Sequence, residues 1–295
     1  LEKNFSMSRE SSKTNGRLQF PMSRKEAAIL LENYLWENEQ LEILDYEKIY
    51  FFNVADRKAK KIKQPGTEFN NGYDNENGDY LYQLNDHFAY RYELIKNLGK
   101  GSFGSVIKAF DHLKKEFVAL KILRNRKKLH KQGVIEVNLI RTLNDADPDD
   151  KKNIVKLRDS FKFRNHVCIT FEMLSINLYD FIKNNDFRGV SLRLTKRFAI
   201  QILVALLFMS EHKVIHCDMK PENILLRNIN KSGIKIIDFG SGCLENERVY
   251  TYIQSRFYRA PEIILGIPYT CAIDMWSFGC ILFELYAGYP LFAGE

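Results

Sequence analysis

Two short runs hold the side chains best suited to chemistry: His216-Cys217-Asp218-Met219-Lys220-Pro221-Glu222-Asn223 and Asp238-Phe239-Gly240. Asp218 can accept the proton of an attacking hydroxyl, and Lys220, two residues on, can neutralise a phosphoryl group in transit. Asn223 and Asp238 are oxygen ligands suited to hard Mg²⁺ ions bridging phosphates. Well upstream, Lys121 ends the run Val118-Ala119-Leu120-Lys121, where its ammonium can hold the α- and β-phosphates of a nucleotide. Glu136, in Val134-Ile135-Glu136-Val137, is the carboxylate that can orient that lysine. Phosphoryl transfer needs little covalent work, so positioning and charge neutralisation supply most of its catalysis.

The elements that must position these groups begin at Gly99-Lys100-Gly101-Ser102-Phe103-Gly104, followed by Ser105 and Val106. A Gly-x-Gly-x-x-Gly run alone is weak evidence, because dinucleotide folds use it between a strand and a helix N-terminus. Here the β-rich stretch 105–110 follows, then a polar turn over 111–116 and a second strand over 117–123. Glycines joining two antiparallel strands predict a flap over phosphates. A helix follows around Glu136, and Ala260-Pro261-Glu262 closes the segment after Asp238. Each element has a plain structural explanation when taken singly: a flexible turn, a surface lysine, half of a helix salt bridge, a loop cap. Six in this order, on these kinds of element, point to one site.

Composition sets bounds without choosing a function. The 295 residues, 45% hydrophobic and 27% charged, with 21 Phe and 15 Tyr, supply ample material for a core and exclude a disordered chain. A net charge of +7 suits nucleic acid, acidic lipid or phosphate ligands, and no nucleic-acid motif accompanies it. Five cysteines, Cys168, Cys217, Cys243, Cys271 and Cys280, form no Cys-x-x-Cys pair, which argues against a disulfide framework or zinc site and for a reducing compartment. Two apolar stretches, 198–209 and 273–292, read as buried helices: the first is too short to span a bilayer, and the second contains Asp274, Glu284 and Pro290. Near the N-terminus, Ser23 and Glu26 form a capping box, with apolar residues at helical spacing over 27–35. The basic run 57–63 reads as a nuclear-import patch or a solvated loop, and 65–80 as a turn-rich segment without a core pattern.

These motifs resemble those of eukaryotic protein kinases, and specifically the dual-specificity tyrosine-regulated kinase family. Cys217 stands where most kinases carry Arg, and the His-Cys-Asp form is typical of that family. Tyr250-Thr251-Tyr252-Ile253-Gln254-Ser255-Arg256-Phe257-Tyr258-Arg259 resembles its activation segment. Asn70–Asp74 and Asn85–Tyr92 resemble its DH box, and Pro21–Phe52 the accessory region of its class II members, which are mostly cytoplasmic. The resemblance implies an α+β, bilobal fold: a flexible segment over 1–20, accessory region and DH box over 21–91, β-rich N-lobe and hinge over 92–173, and a partial, mainly helical C-lobe over 174–295. It implies an ATP- and Mg²⁺-dependent kinase that autophosphorylates Tyr252 and then phosphorylates Ser and Thr of protein substrates near an upstream Arg and a following Pro.

The same resemblance assigns further residues. Leu98, Val106, Ala119, Leu225 and Ile237 would sandwich adenine, Phe171 would back the pocket, and Glu172 and Leu174 would offer backbone hydrogen bonds. With Cys217 in place of Arg, Arg256 and Arg259 become the forks available to phosphotyrosine. Glu222 would meet a substrate arginine or brace the loop, and Cys217 and Cys243, on neighbouring loops of that fold, are candidates for a reversible disulfide against the alternative of two inert thiols. The expected partners are protein substrates, with no specific nucleic acid and no membrane, and the chain is expected to be monomeric when its C-lobe is complete. Localisation is expected in the cytoplasm, with the nucleus as a second site. The chain starts at Leu1 and stops after an apolar helix, so it reads as a fragment lacking the closing C-lobe helices, which leaves exposed apolar surface and Glu262 without its arginine. That departure keeps a second reading open: a catalytically silent, truncated kinase serving as a nucleotide- or protein-binding module.

Overall fold

A computed structural model describes residues 18–248 and 250–294. The polar segment expected over 1–20 lies outside the described residues apart from its last three. In chain order the elements are β1 (Met22–Ser23), α1 (Arg24–Leu30), α2 (Glu37–Glu42), β2 (Lys48–Ile49), α3 (Val54–Lys58), β3 (His87–Phe88), β4 (Tyr92–Lys100), β5 (Gly104–Asp111) and β6 (Glu116–Leu123). Then come α4 (Lys127–Asp145), β7 (Leu157–Phe163), β8 (His166–Glu172), α5 (Leu178–Lys183), α6 (Leu192–Glu211), β9 (Val214–Ile215), β10 (Ile224–Leu226), β11 (Ile234–Ile236), β12 (Cys243–Leu244), α7 (Pro261–Ile264) and α8 (Ala272–Ala287). The class is α+β, and the main sheet has the strand order β3-β4-β5-β6-β8-β7.

The described residues group into two compact units, one of 18–66, 82–96 and 109–116, the other of 67–81, 97–108 and the described residues from 117 onward. In the first, Ser23 caps α1 with Glu26 answering as a capping box, as the sequence predicts. The helix stops at Leu30, short of the expected span to 35, because the chain tightens into a 3-10 turn at Glu32–Tyr34. Ala27, Leu31 and Leu35 are buried, whereas Leu30 is exposed. The basic run is not simply a solvated patch. Arg57 is buried, donating to both Glu39 and Asp86 and lying over the Trp36 and Phe52 rings, while Glu39 also meets His87 at 3.0 Å.

The second unit holds every residue expected to do chemistry. β6 and β8 pair antiparallel with Ala119 opposite Phe171 and Lys121 opposite Ile169. α4 buries Glu136, Val137, Ile140 and Leu143 along one stripe, so a carboxylate enters the interior with the apolar side chains. α6 and α8 are one-sided, not wholly buried as their composition suggests: α6 exposes Ile200, Leu203 and Leu207, and α8 exposes Met275, Trp276 and Tyr286. No helix among the described residues is long and apolar enough to cross a membrane. α8 ends at Gly288 (φ +87°), where a Cβ would sit 1.9 Å from the Phe187 carbonyl oxygen, so only glycine closes this helix here. The turn-rich stretch 65–80 is also packed: Tyr73, Asp74, Asp79 and Tyr80 are buried, and Asp74 meets His166 at 2.7 Å.

Candidate active site

Lys121 is the centre of the site. Its Nζ donates to Glu136 Oε1 (2.7 Å) and Oε2 (2.9 Å), and to Asp238 Oδ1 (2.7 Å). Burial alone would lower the Lys121 pKa, but the carboxylates of Asp238 and Glu136 outweigh it and hold the ammonium charged. Burial likewise pushes against ionised Asp238, and Lys121 more than reverses it, keeping that carboxyl below its ordinary value. Asp238 is held at φ +63°, a left-handed conformation that Asp tolerates better than most residues, and Phe239 behind it is fully buried against the His216 ring.

A second group assembles on the loop between β9 and β10. Asp218 Oδ2 accepts from Lys220 Nζ at 2.7 Å, and Asn223 Nδ2 donates to the Asp218 carbonyl oxygen at 2.8 Å. Ser255, for which no role was read from sequence, donates from Oγ to Asp218 Oδ1 at 2.7 Å and accepts from Lys220 at 3.1 Å. The loop has its own scaffold. Buried Asp274 accepts the backbone N–H groups of His216 (2.7 Å) and Cys217 (3.1 Å), while His216 Nε2 meets the Ile237 carbonyl oxygen at 2.9 Å. Asp274 is a support that sequence reading missed, since its partners lie 58 and 57 positions away, and His216, though part of the motif, had no role read from sequence. The β12–β9 register, Cys243 opposite Ile215, brings the Cys243 Sγ to 3.9 Å from that of Cys217; both thiols are free.

The three motif glycines differ in what surrounds them. A Cβ on Gly104 would lie 2.0 Å from the Ile122 carbonyl oxygen, whereas Gly99 and Gly101 have open space on that side. Gly101 N donates to the Gly104 carbonyl oxygen, Arg124 Nη1 holds the Ser102 carbonyl oxygen, and the Phe103 ring lies 5.6 Å from Lys121 Nζ. Ser105 is buried. Phe171 and Leu174 are buried in the core, with Ala119, Leu225 and Ile237 packed against it; Val106 is half-buried and Leu98 exposed. The Glu172 carboxylate is engaged by the fully buried Lys235, which also reaches Asp150 at 2.7 Å.

On the activation segment Tyr252 is 72% exposed, and Arg259 Nη1 donates to its hydroxyl at 2.6 Å. The same guanidinium holds the carbonyl oxygens of Ile253 and Gln254, so Arg259 is the fork in place at Tyr252, while Arg256 lies over the Phe257 ring. Gln254 pins this segment to α8 through Ile273 and Ser277. Glu222 borders a cavity of about 510 Å³ with Tyr179, Lys220, Ser255, Tyr258 and Glu284, and its buried Oε2 has no hydrogen-bond partner among the described residues.

Asn223 directs its amide N–H groups at Asp218, leaving a carbonyl oxygen as the end that can bind a cation, and Asp238 supplies a carboxylate. Among the described residues no three His, Cys, Asp or Glu side chains cluster as metal ligands. A two-ligand oxygen set is what Mg²⁺ uses when substrate phosphates complete its shell.

Comparison with known proteins agrees with this geometry. The family model for the protein kinase domain matches residues 92–295. Dual specificity tyrosine-phosphorylation-regulated kinase 4 of Homo sapiens is 51% identical over 275 residues, covering 93% of this chain and 52% of that protein. The corresponding kinase 3 of Homo sapiens is 48% identical over 93% of this chain and 46% of its own length. Kinase mbk-2 of Caenorhabditis elegans is 53% identical over 87% of this chain and 31% of its own. The chain thus spans about half, or less, of the length of these curated relatives.

Proposed function

We propose that this chain, which belongs to the protein kinase family in its dual-specificity tyrosine-phosphorylation-regulated branch, moves the γ-phosphoryl group of ATP to hydroxyl groups of proteins. The observation that carries the proposal is Lys121 joined to both Glu136 and Asp238, with Asp218, Lys220 and Asn223 already hydrogen-bonded to one another. No described site residue shows a sign of catalytic silence, which favours the active reading over the binding module.

The residues divide the work. Gly99, Gly101 and the flap backbone lie over the phosphates, where the absence of side chains permits close approach. Lys121, fixed by Glu136, holds the α- and β-phosphates. Asp218 takes the proton of the incoming hydroxyl, and Lys220 offsets the charge developing on the transferred group. Ser255, hydrogen-bonded to both, keeps them in register. Mg²⁺, held by Asn223 and Asp238, supplies neutralisation of the phosphate charge when bound. The adenine rests between Leu98, Val106 and Ala119 on one side and Leu225 and Ile237 on the other, with the backbone at Glu172 and Leu174 as its edge partner.

Tyr252 is the autophosphorylation site in this reading, and Arg259 receives the phosphate, which adds about −1.5 to −2 charge. The unpartnered Glu222 carboxylate oxygen is the group for a substrate arginine. The decisive experiment is phosphopeptide mapping of the chain expressed in bacteria, beside Asp218→Asn. Phosphate on Tyr252 in the parent and its absence from the variant is the expected result; a bare Tyr252 in both, with no transfer to an Arg- and Pro-containing peptide, refutes the proposal.

A further inference from the structure

The turn-rich stretch 65–80, in which sequence reading finds no core pattern, reaches the phosphate flap through one buried carboxylate. Asp79 is 5% exposed. Its Oδ2 meets Lys100 Nζ at 2.8 Å, and its Oδ1 accepts from Arg124 Nε. Arg124 in turn holds the flap on its far flank: its backbone N–H donates to the Phe103 carbonyl oxygen at 3.0 Å, and Nη1 donates to that of Ser102 at 3.1 Å. A single carboxylate therefore grips the glycine run on both sides of Gly101.

Asp79 is itself fixed. Its N–H donates to Asn75 Oδ1 at 2.9 Å, and Asn75 Nδ2 returns a bond to Oδ2 at 3.2 Å. The Gly78 carbonyl oxygen accepts from Asn125 N at 2.8 Å, next to Arg124 in the chain, and Asn125 Nδ2 donates to Asp74 at 2.9 Å. The Asp79 end of the tether is thus rooted in the surrounding backbone and side chains, and the Lys100 arm reaches it from a half-exposed position.

We infer that Asp79 is a positioning residue for nucleotide binding: through Lys100 and Arg124 it holds the Gly99–Gly104 flap in the conformation that receives the ATP phosphates. The inference deepens the phosphotransfer reading and rests on it. A run with three glycines loses much conformational freedom when it closes on a ligand, and a tether applied beforehand removes part of that loss from the binding step. Asp79 touches no reacting atom, so its effect falls on nucleotide affinity and not on the transfer step.

The test compares the parent with Asp79→Asn, Asp79→Glu, Lys100→Met and the double variant Asp79→Asn/Lys100→Met, using Mg²⁺-ATP titration calorimetry and steady-state kinetics on a peptide. Asp79→Asn should raise the Kd and KM for ATP about three- to tenfold, the range of a charge-assisted tether, and leave kcat and the peptide KM unchanged. Asp79→Glu should recover part of the affinity. Lys100→Met should raise the ATP Kd as well, and the double variant should fall short of the sum of the two, since both remove one contact. Unchanged ATP affinity in Asp79→Asn overturns the inference while the kinase reading stands, as does full additivity with Lys100→Met. Lys100 is half exposed, so Lys100→Met retains the fold if Asp79→Asn does not, and unchanged affinity there is equally fatal. A parent that binds no ATP overturns the kinase reading and this inference together.

Discussion

Each unit contains a buried knot of charge, and the two knots differ in whether they are sealed. In the first, Glu39, Arg57, Asp86 and His87 keep side-chain exposures of 0%, 3%, 9% and 0%, and the Arg57 fork is divided between two carboxylates. In the second, Glu136 and Lys121 are as deeply buried, at 1% and 8%, but Asp238 is 31% exposed, Lys220 23% and Asp218 16%. Burial and ion pairing alone do not mark a catalytic centre. What marks it is a paired interior that ends in an open, charged edge where a substrate can replace the present partners.

Breaking the open knot should give the largest effect. Asp218→Asn is expected to lower kcat by roughly 10²–10⁴-fold, the contribution of a positioned general base, with the melting temperature unchanged in a thermal scan. Breaking the sealed knot should do the opposite. Arg57→Ala leaves Asp86 buried without its guanidinium and Glu39 with His87 alone, and should cost about 3–5 kcal/mol of stability in urea unfolding, while the ATP KM of the folded fraction is retained. A smaller effect sharpens the contrast at the rim. After autophosphorylation, Arg259→Ala should lose about 1.5–3 kcal/mol, the worth of hydrogen bonds to a charged group, and Arg256→Ala less; paired melting curves of the phosphorylated proteins decide it.

The smallest effect is set by pH. Burial pushes Asp79 upward, but Lys100, Arg124 and Asn75 hold its folded pKa at about 2 against an ordinary 3.8. A depressed folded pKa contributes stability that is complete above the ordinary value and disappears as the pH falls from about 3.8 through about 2. Asp79→Asn should therefore lose less stability than the parent across that window, as read by acid titration of the unfolding midpoint.

What could be read from the chain follows from distance along it. Asp218, Lys220 and Asn223 act within one loop, so their spacing displays their chemistry directly. Lys121, Glu136 and Asp238 could be joined because each sits in a recognisable local pattern. Arg57 could not, because its partners Glu39 and Asp86 stand 18 and 29 positions away in unremarkable surroundings. Asp79 was hidden by composition: glycine, asparagine and aspartate predict turns, and nothing local says that the turn is packed. Ser255 and Asp274 gave no signal because hydroxyls and carboxylates recur throughout the chain, and only folding brings these two to the catalytic loop.

The unequal surroundings of the motif glycines carry a consequence for sequence variation. At Gly104 a side chain collides with the Ile122 backbone, so a library of variants screened for soluble, folded protein should already be depleted there. At Gly99 and Gly101 nothing among the described residues obstructs a side chain, and the same library should retain substitutions until it is screened for activity. One motif thus contains two kinds of intolerance, and comparing abundance with activity position by position separates the glycine that the fold requires from those that the ligand requires.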